Sequence, residues 1–503
     1  MFISVAVPVP NLDLLTYAVA DDVDRPAIGA RVLVPLGTRV VTGIVIDHVD
    51  DSGAARDVKL VQKVLDAHAF VPAEVVGLAR WTAEYYAAGV GDTIPALLPP
   101  MARGGRVDAH KTQRIASITP AGLEALQLAA PKQREALELL AAAPDGIPTP
   151  TLTARGIAGS AIARLVRHGY ISVRSERLAR DPFGVRPLPS TTPSEPQDSG
   201  VRPPGGGALT RRLTGEQQAA CDRLRALADS RAFHVALLHG VTGSGKTEIY
   251  LRLATTTRDA GRRVLMLVPE IALTPAIAAL FRDTFGDRVA IQHSGLSDGE
   301  RHDQWHRIRR GDVDVVVGTR SAVFTPLERI GLIVVDEEHD GSYKQEEIPR
   351  YNARDVAIVR AQRAQALIVL GSATPSIETY HHAMTGKYER VVLARRVLDR
   401  PLADVKIVDM REEYAAEGPD VILSRPLRDA IQMRLERREQ SLVLLNRRGF
   451  ATAVFCRQCA GTVDCPNCSV SLVVHGEGNA RRARCHYCNY TCLLYTSPSP
   501  RDS

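Results

Sequence analysis

The sequence predicts an α/β protein built on a mostly parallel sheet, and three observations carry that prediction. Residues 240–247 read Gly-Val-Thr-Gly-Ser-Gly-Lys-Thr, which meets the G-x-x-x-x-G-K-[ST] pattern at Gly240, Gly245, Lys246 and Thr247. Residues 333–339 read Ile-Val-Val-Asp-Glu-Glu-His, an apolar strand that runs into a carboxylate cluster. Around them, the apolar runs Val264–Val268, Val313–Val317, Leu332–Val335 and Leu367–Leu370 alternate with helical patterns. Strands of that composition belong to a parallel sheet covered on both faces.

The first motif is a phosphate-cradling loop in the right context, with the strand Phe233–Leu238 before it and the helix-like Glu248–Ala254 after it. Gly240, Gly243, Ser244 and Gly245 let backbone N–H groups turn inward on phosphate oxygens, and the helix N-terminus adds partial positive charge. Lys246 is expected to reach the β- and γ-phosphates of ATP, and the Thr247 hydroxyl to hold Mg²⁺. Asp336 and Glu337 follow their strand at the carboxyl edge, where open α/β sheets bind ligands. There Asp336 would hold Mg²⁺ and Glu337 would orient the attacking water. Three further strand-to-helix loops are candidates for function. Gly371-Ser372-Ala373-Thr374-Pro375 suits a transmission element, Gly318-Thr319-Arg320-Ser321 suits a nucleic-acid phosphate, and Pro269-Glu270 is the third.

Length and charge set the frame. A chain of 503 residues is too long for one core and suggests several domains. Its 63 basic and 57 acidic residues leave +6, which permits a polyanionic partner without demanding one. The N-terminus lacks a basic stretch and is broken early by Pro8, so a secretory signal is not expected; nor does any apolar run approach membrane-spanning length. Cytosol is the expected location.

Ahead of the parallel sheet, residues 1–104 alternate strand-like runs (Phe2–Val9, Arg31–Leu36, Val40–Val49) with turns and close on a helix over Pro72–Ala88. Residues 105–182 carry helical Pro131–Ala142 and Ser160–His168 and a β-wing at 169–173, an order that resembles a winged helix. Residues 183–208, rich in Pro, Gly and Ser, read as a linker. The phosphate-loop lobe spans 209–397, a second α/β lobe starts at 398–452 with a strand expected at Ser441–Leu445, and 453–492 hold most of the cysteines.

Leu213-Thr214-Gly215-Glu216-Gln217 lies upstream of the phosphate loop, and His339 extends the acidic run to Asp-Glu-Glu-His. In this order the motifs resemble a superfamily 2 helicase, in which Gln217 would read adenine and His339 would join the catalytic set. The resemblance narrows at Asp340-Gly341-Ser342-Tyr343-Lys344-Gln345 and Pro349-Arg350-Tyr351-Asn352-Ala353-Arg354-Asp355, and at 293–301 and 445–450. These stretches look like the bacterial replication-restart helicase family PriA, also called primosomal protein N-prime. The resemblance implies a RecA-like lobe and a partial second lobe with a zinc-ribbon insertion, preceded by a β-rich 3′-end DNA-binding domain and the winged-helix-like domain. It implies an ATP-dependent DNA helicase that recognises abandoned forks, with forked DNA, single-stranded DNA-binding protein and primosome-loading proteins as partners, acting in the cytoplasm at the nucleoid. Its aromatic-rich loop would sense DNA: Tyr343 and Tyr351 would stack on bases while Lys344 meets phosphate. Gly37 and Lys59 fall at positions associated with the 3′-end pocket, and Leu15 and Thr16 stand where an aromatic and an acidic residue can occur. A fork-binding scaffold without productive hydrolysis, or another superfamily 2 helicase, are the alternatives.

Cysteine is concentrated at 456, 459, 465, 468, 485, 488 and 492, with only Cys221 elsewhere. Cys465, Cys468, Cys485 and Cys488 match C-x₂-C-x₁₅₋₂₀-C-x₂-C, a structural zinc spacing. Cys456 and Cys459 would need two further ligands, which the family supplies with another cysteine pair; here Cys492 would be one substitute, with His486 or water completing the set. Residues 493–503 match nothing in the family and read as a non-native tail on a truncated chain, for which weak unwinding is expected.

Overall fold

The computed structural model describes residues 1–10, 12–49, 58–104, 112–127, 131–177, 182, 212–269, 274–397, 404–418, 421–444, 465–466, 472–475, 482–485 and 490–493. The chain divides into two compact units, Met1–Arg400 and Pro401–Ser503. The 183–208 stretch, Glu270, the 445–450 signature, Cys456, Cys459, Cys468, Cys488, His486 and residues 494–503 lie outside the described residues.

The first unit opens with strands β1 (Phe2–Ala6), β2 (Leu15–Ala18), β3 (Arg31–Leu36), β4 (Arg39–Val49) and β5 (Lys63–Val64), ordered β2-β1-β4-β3-β5. β1 stops at Ala6, short of the expected Val9, because Pro8 and Pro10 can donate no ladder hydrogen bond. Residues 59–64 return along the open edge. Ala18 N–H donates to Lys59 O and Val61 N–H to Ala18 O, both at 2.9 Å, while Lys63 pairs with Leu33. The sheet thus curls around Ile3, Val5, Tyr17, Val32 and Val45, all buried. The helix Ala73–Tyr85 follows.

Residues 112–177 form a small three-stranded sheet with helices. Strands β6 (Thr112–Ile118), β7 (Ile147–Pro148) and β8 (Ile171–Arg177) are ordered β7-β6-β8. Helices Pro131–Ala141 and Gly159–Arg167 pack on it through Leu137, Leu140 and Leu165.

The main sheet has seven strands, all parallel: β9 (His234–Gly240), β10 (Arg263–Leu267), β11 (Val289–Gln292), β12 (Val315–Gly318), β13 (Ile330–Asp336), β14 (Leu367–Ser372) and β15 (Glu389–Leu393). Their order is β11-β12-β10-β13-β14-β9-β15. The central strands are buried on both faces, in keeping with their Val/Ile/Leu-rich content. β14 lies between β9, which leads into the phosphate loop, and β13, which ends at Asp336. Asp336 is in register with Gly371, and Gly371 with Leu238.

The amino-terminal module packs directly on this lobe. Phe70 stacks on Trp305 with centroids 4.5 Å apart, and the Arg31 guanidinium lies 3.8 Å from the Phe70 ring centre. Arg31 is itself fixed by Asp66 at 2.8 Å and donates to Ala102 O, while Arg309 donates to Ala69 O at 2.8 Å.

In the second unit, helices Met410–Glu417 and Arg425–Glu436 are joined by a Glu413–Arg425 pair at 3.1 Å. The strand expected at Ser441–Leu445 is not formed over the described residues 441–444, where Leu442 and Leu444 stand open to solvent. An apolar run becomes a strand only where a sheet receives it, and no described strand lies beside this one. Three short strands, β16 (Val473–His475), β17 (Arg482–Arg484) and β18 (Thr491–Leu493), form an antiparallel sheet. Among the described residues no helix is long and apolar enough to cross a membrane.

The seam between module and lobe gives a first prediction. Phe70→Ala should destabilise the first unit by about 3–5 kcal/mol, read as a lower midpoint in differential scanning calorimetry. A midpoint unchanged within a degree would contradict this packing.

Candidate active site

Parallel strands bring their carboxyl ends to one edge, and that edge gathers the residues singled out in the sequence. Helix Lys246–Asp259 starts directly from the loop, with Gly243 at φ +81° and Gly245 at φ +82°. A side chain at 245 would also collide with Gln217 Nε2, 2.4 Å from where its Cβ would stand. Lys246 is buried and donates to Gly240 O at 3.0 Å, with Glu337 Oε1 3.7 Å away. Glu337 adopts φ +46°, a left-handed backbone that costs a non-glycine residue about 1–2 kcal/mol. The Glu337 carboxylate lies between Lys246 and His339, whose Nδ1 is 3.7 Å from it.

Asp336 is held from two sides. The Tyr250 hydroxyl donates to Asp336 Oδ1 at 2.9 Å, and the Tyr343 hydroxyl lies 2.6 Å from Asp336 O and 3.1 Å from Leu267 O. Burial pushes the Asp336 carboxyl above the usual carboxylate range, while the Tyr250 hydrogen bond and the Lys246 ammonium pull it down. A divalent cation would act in the same downward sense.

The three consecutive acids part ways. Glu338 turns into the protein, where it accepts from Ser376 N at 2.7 Å and Thr379 Oγ1 at 2.9 Å and pairs with Arg354 at 3.0 Å. His339 Nδ1 meets Ser372 Oγ at 2.8 Å and its Nε2 meets Thr374 Oγ1 at 3.3 Å. The 371–375 loop is therefore wired to the acidic run through Ser372, Thr374 and the adjoining Ser376.

Gln217 lies against the phosphate loop. Its Oε1 accepts from Thr214 N at 3.0 Å and its Nε2 donates to Ser244 O at 2.9 Å. Thr214, Glu216, Gln217, Ser244, Leu393, Arg395, Arg396 and Val397 line an adjoining cavity of about 360 Å³. Glu216 fastens its far wall by accepting from Ala394 N and Arg395 N. Ser244 Oγ is buried without a hydrogen-bond partner among the described residues. A polar atom left so in a glycine-built cradle fits a phosphate ligand.

The aromatic-rich segment departs from expectation. Tyr343 and Tyr351 are each only 1% exposed, so neither ring can stack on a base. Tyr343 is a strut under the acidic strand, and Tyr351 packs edge-on against Phe324 at 5.2 Å. The resemblance implies base stacking for both rings, whereas the fold turns them inward. Lys344 is exposed; its ammonium donates to Arg350 O and lies 5.1 Å from the Tyr86 ring centre. The Tyr86 hydroxyl accepts from Asn352 N at 3.1 Å, which ties the amino-terminal module to this segment. From the other side, Arg320 donates to Ser342 O and Lys344 O, and Ser342 Oγ donates to Pro269 O. Thr319 N–H is held by Gln292 O. The loop after Arg320 is pinned by Arg360, whose buried guanidinium donates to Val323 O, Thr325 O and Leu327 O. Burial lowers its pKa to about 10, so it stays charged at neutral pH.

Gly37 sits at the exposed β3–β4 turn with φ +59°, two residues past Pro35, whose carbonyl accepts from the Tyr17 hydroxyl. Lys59 is exposed beside Ala18. The end of β2 therefore anchors both segments. Of the zinc candidates, Cys465 and Cys485 are buried in one cluster with Leu472 and Ala483, at the base of the β16–β18 sheet. Among the described residues no group of three or more His, Cys, Asp or Glu is placed to hold a metal, and four of the six candidate cysteines lie outside them.

Tyr250, Glu338, Arg354 and Tyr86 were not singled out as site residues from the sequence. Glu338 and Arg354 lie within the quoted runs 336–339 and 349–355, and Tyr250 stands four residues after Lys246, on the same helix face.

A phosphate loop, paired acids and a third wired loop on one parallel-sheet edge define a P-loop helicase lobe. Residues 214–383 accordingly match the DEAD/DEAH box helicase model, residues 4–99 a 3′DNA-binding domain (3′BD), and residues 465–492 the PriA DNA helicase Cys-rich region. The chain belongs to the family of the replication restart protein PriA. It is 36% identical over 492 residues to that protein from Haemophilus influenzae, covering 97% of this chain and 63% of the relative. The corresponding values are 41% over 370 residues (73% and 44%) for Bacillus subtilis, and 47% over 285 residues (55% and 34%) for Synechocystis. The chain thus spans less than two thirds of the length of these relatives.

Because the Glu338 side chain is wholly buried in its pair with Arg354, Glu338→Ala should cost about 3–5 kcal/mol. Urea unfolding followed by circular dichroism would measure it, and a loss under half a kilocalorie would show the pair to be incidental.

Proposed function

We propose that this chain is an ATP-dependent DNA helicase unit that recognises stalled or abandoned replication forks and initiates primosome assembly and replication restart. The observation that carries this is the meeting of Lys246, Glu337 and Asp336 on one sheet edge of a lobe that also grips a 3′-end-type module. ATP would place its phosphates on the loop 240–247 and its base near Gln217, in the cavity walled by Leu393 and Val397. Mg²⁺, held by Thr247 and Asp336, would neutralise charge developing on the phosphates. Glu337 would orient water once Lys246 turns to phosphate, and His339 would carry the state of the site to Ser372 and Thr374.

On the DNA side, Gly37 and Lys59 would contact a nascent 3′ end, and Thr319, Arg320 and Lys344 the backbone. Residues 112–177 would act as a winged helix with Gly159–Arg167 as recognition helix, and the residues from 404 onward would begin a second lobe carrying the zinc ribbon. Cys465, Cys468, Cys485 and Cys488 would hold one Zn²⁺, with Cys456 and Cys459 in a second site. Single-stranded DNA-binding protein and helicase-loading proteins are the expected partners, in the bacterial cytoplasm.

Lys246→Ala should weaken Mg²⁺–ATP binding more than tenfold while leaving affinity for a fork with a 3′ end unchanged. Calorimetry with ATP and fluorescence anisotropy with the fork read the two halves; undiminished ATP binding would overturn the assignment. Metal analysis of the purified chain should find at least one tightly held zinc, and finding none would remove the ribbon.

A further inference from the structure

The acid that would face the metal is separated from the phosphate loop by a whole strand. β14 runs between β9 and β13, so Lys246 and Asp336 rise from strands that are not neighbours. A tyrosine side chain crosses that gap to Asp336. Tyr250, one helical turn beyond Lys246, is wholly buried and reaches over Gly371 of β14 to donate its hydroxyl to Asp336 Oδ1 at 2.9 Å. The crossing depends on glycine: a Cβ at 371 would stand 1.8 Å from the Tyr250 hydroxyl oxygen.

We propose that Tyr250 is a positioning residue for the divalent cation, fixing one oxygen of Asp336 so that the other is presented to the metal or its water. A phenol suits that task where an ammonium or guanidinium would not. It holds the carboxylate by a hydrogen bond without neutralising the charge the cation needs. Tyr343 completes the hold by fixing the Asp336 carbonyl, so the residue is pinned at side chain and backbone by hydroxyls from two different elements. A purely structural role would leave metal affinity untouched, because the ring already fills the core and phenylalanine would fill it equally.

This inference rests on the assignment of the edge as an Mg²⁺–ATP site, and the experiment separates the two. N-methylanthraniloyl-ATP is titrated into the full chain at a series of Mg²⁺ concentrations, for the wild type and for Tyr250→Phe. The Mg²⁺ concentration giving half-maximal binding should rise roughly tenfold in the variant, with binding in EDTA unchanged. If the wild type binds no nucleotide in a Mg²⁺-dependent way, the site assignment fails. If the wild type does and Tyr250→Phe matches it within twofold, the positioning role fails.

Discussion

One constraint of sheet order governs this molecule: the strand that delivers the phosphate loop and the strand that delivers the acids have another strand between them. The two strands share no backbone hydrogen bond with each other, so the direct links between the phosphate loop and the acids are made by side chains. Tyr250 spans the gap within the core, and the Lys246–Glu337 pair spans it at the surface. The intervening strand contributes Gly371, which lets Tyr250 pass, and Ser372, which receives His339. What reads along the chain as three separate motifs is, in space, one bonded patch.

The patch extends outward by the same means. Tyr343 joins Asp336 to the aromatic-rich segment; Arg320 and Ser342 join that segment to its neighbouring loops; Asn352 joins it to Tyr86 of the amino-terminal module. Burial pushes the Tyr86 phenol up to about 12, so it remains a hydroxyl at any physiological pH. Glu338 and Arg354 close the circuit beneath, tying the acidic run to the helix Ile377–Met384 through Ser376 and Thr379. The module that would hold DNA and the edge that would hold nucleotide thus share a continuous run of hydrogen bonds.

Local chemistry was readable in the sequence, and crossings between elements were not. The loop 240–247 and the acids at 336 and 337 announce themselves because glycine, lysine and carboxylate at fixed spacing have few other uses. Strand Arg31–Leu36 has the bounds its alternation predicts. By contrast, nothing in the run Asp336-Glu337-Glu338 says that the third acid turns inward, since that depends on Arg354 and Ser376 far along the chain. The resemblance implies base-stacking roles for Tyr343 and Tyr351, yet Tyr343 is bonded to Leu267 O and Tyr351 packs on Phe324, inside the fold. β11 and the edge strand β15, four and five residues long, were too short to carry a period of their own.

The left-handed backbone at Glu337 sets fold and chemistry against each other. Glycine there would relax the turn, so random substitution toward a tougher protein meets an easy gain at the one position whose carboxylate faces the phosphate-loop lysine. If Glu337 orients water as proposed, heat-selected variants of this lobe would gain stability at 337 and lose the carboxylate that faces Lys246.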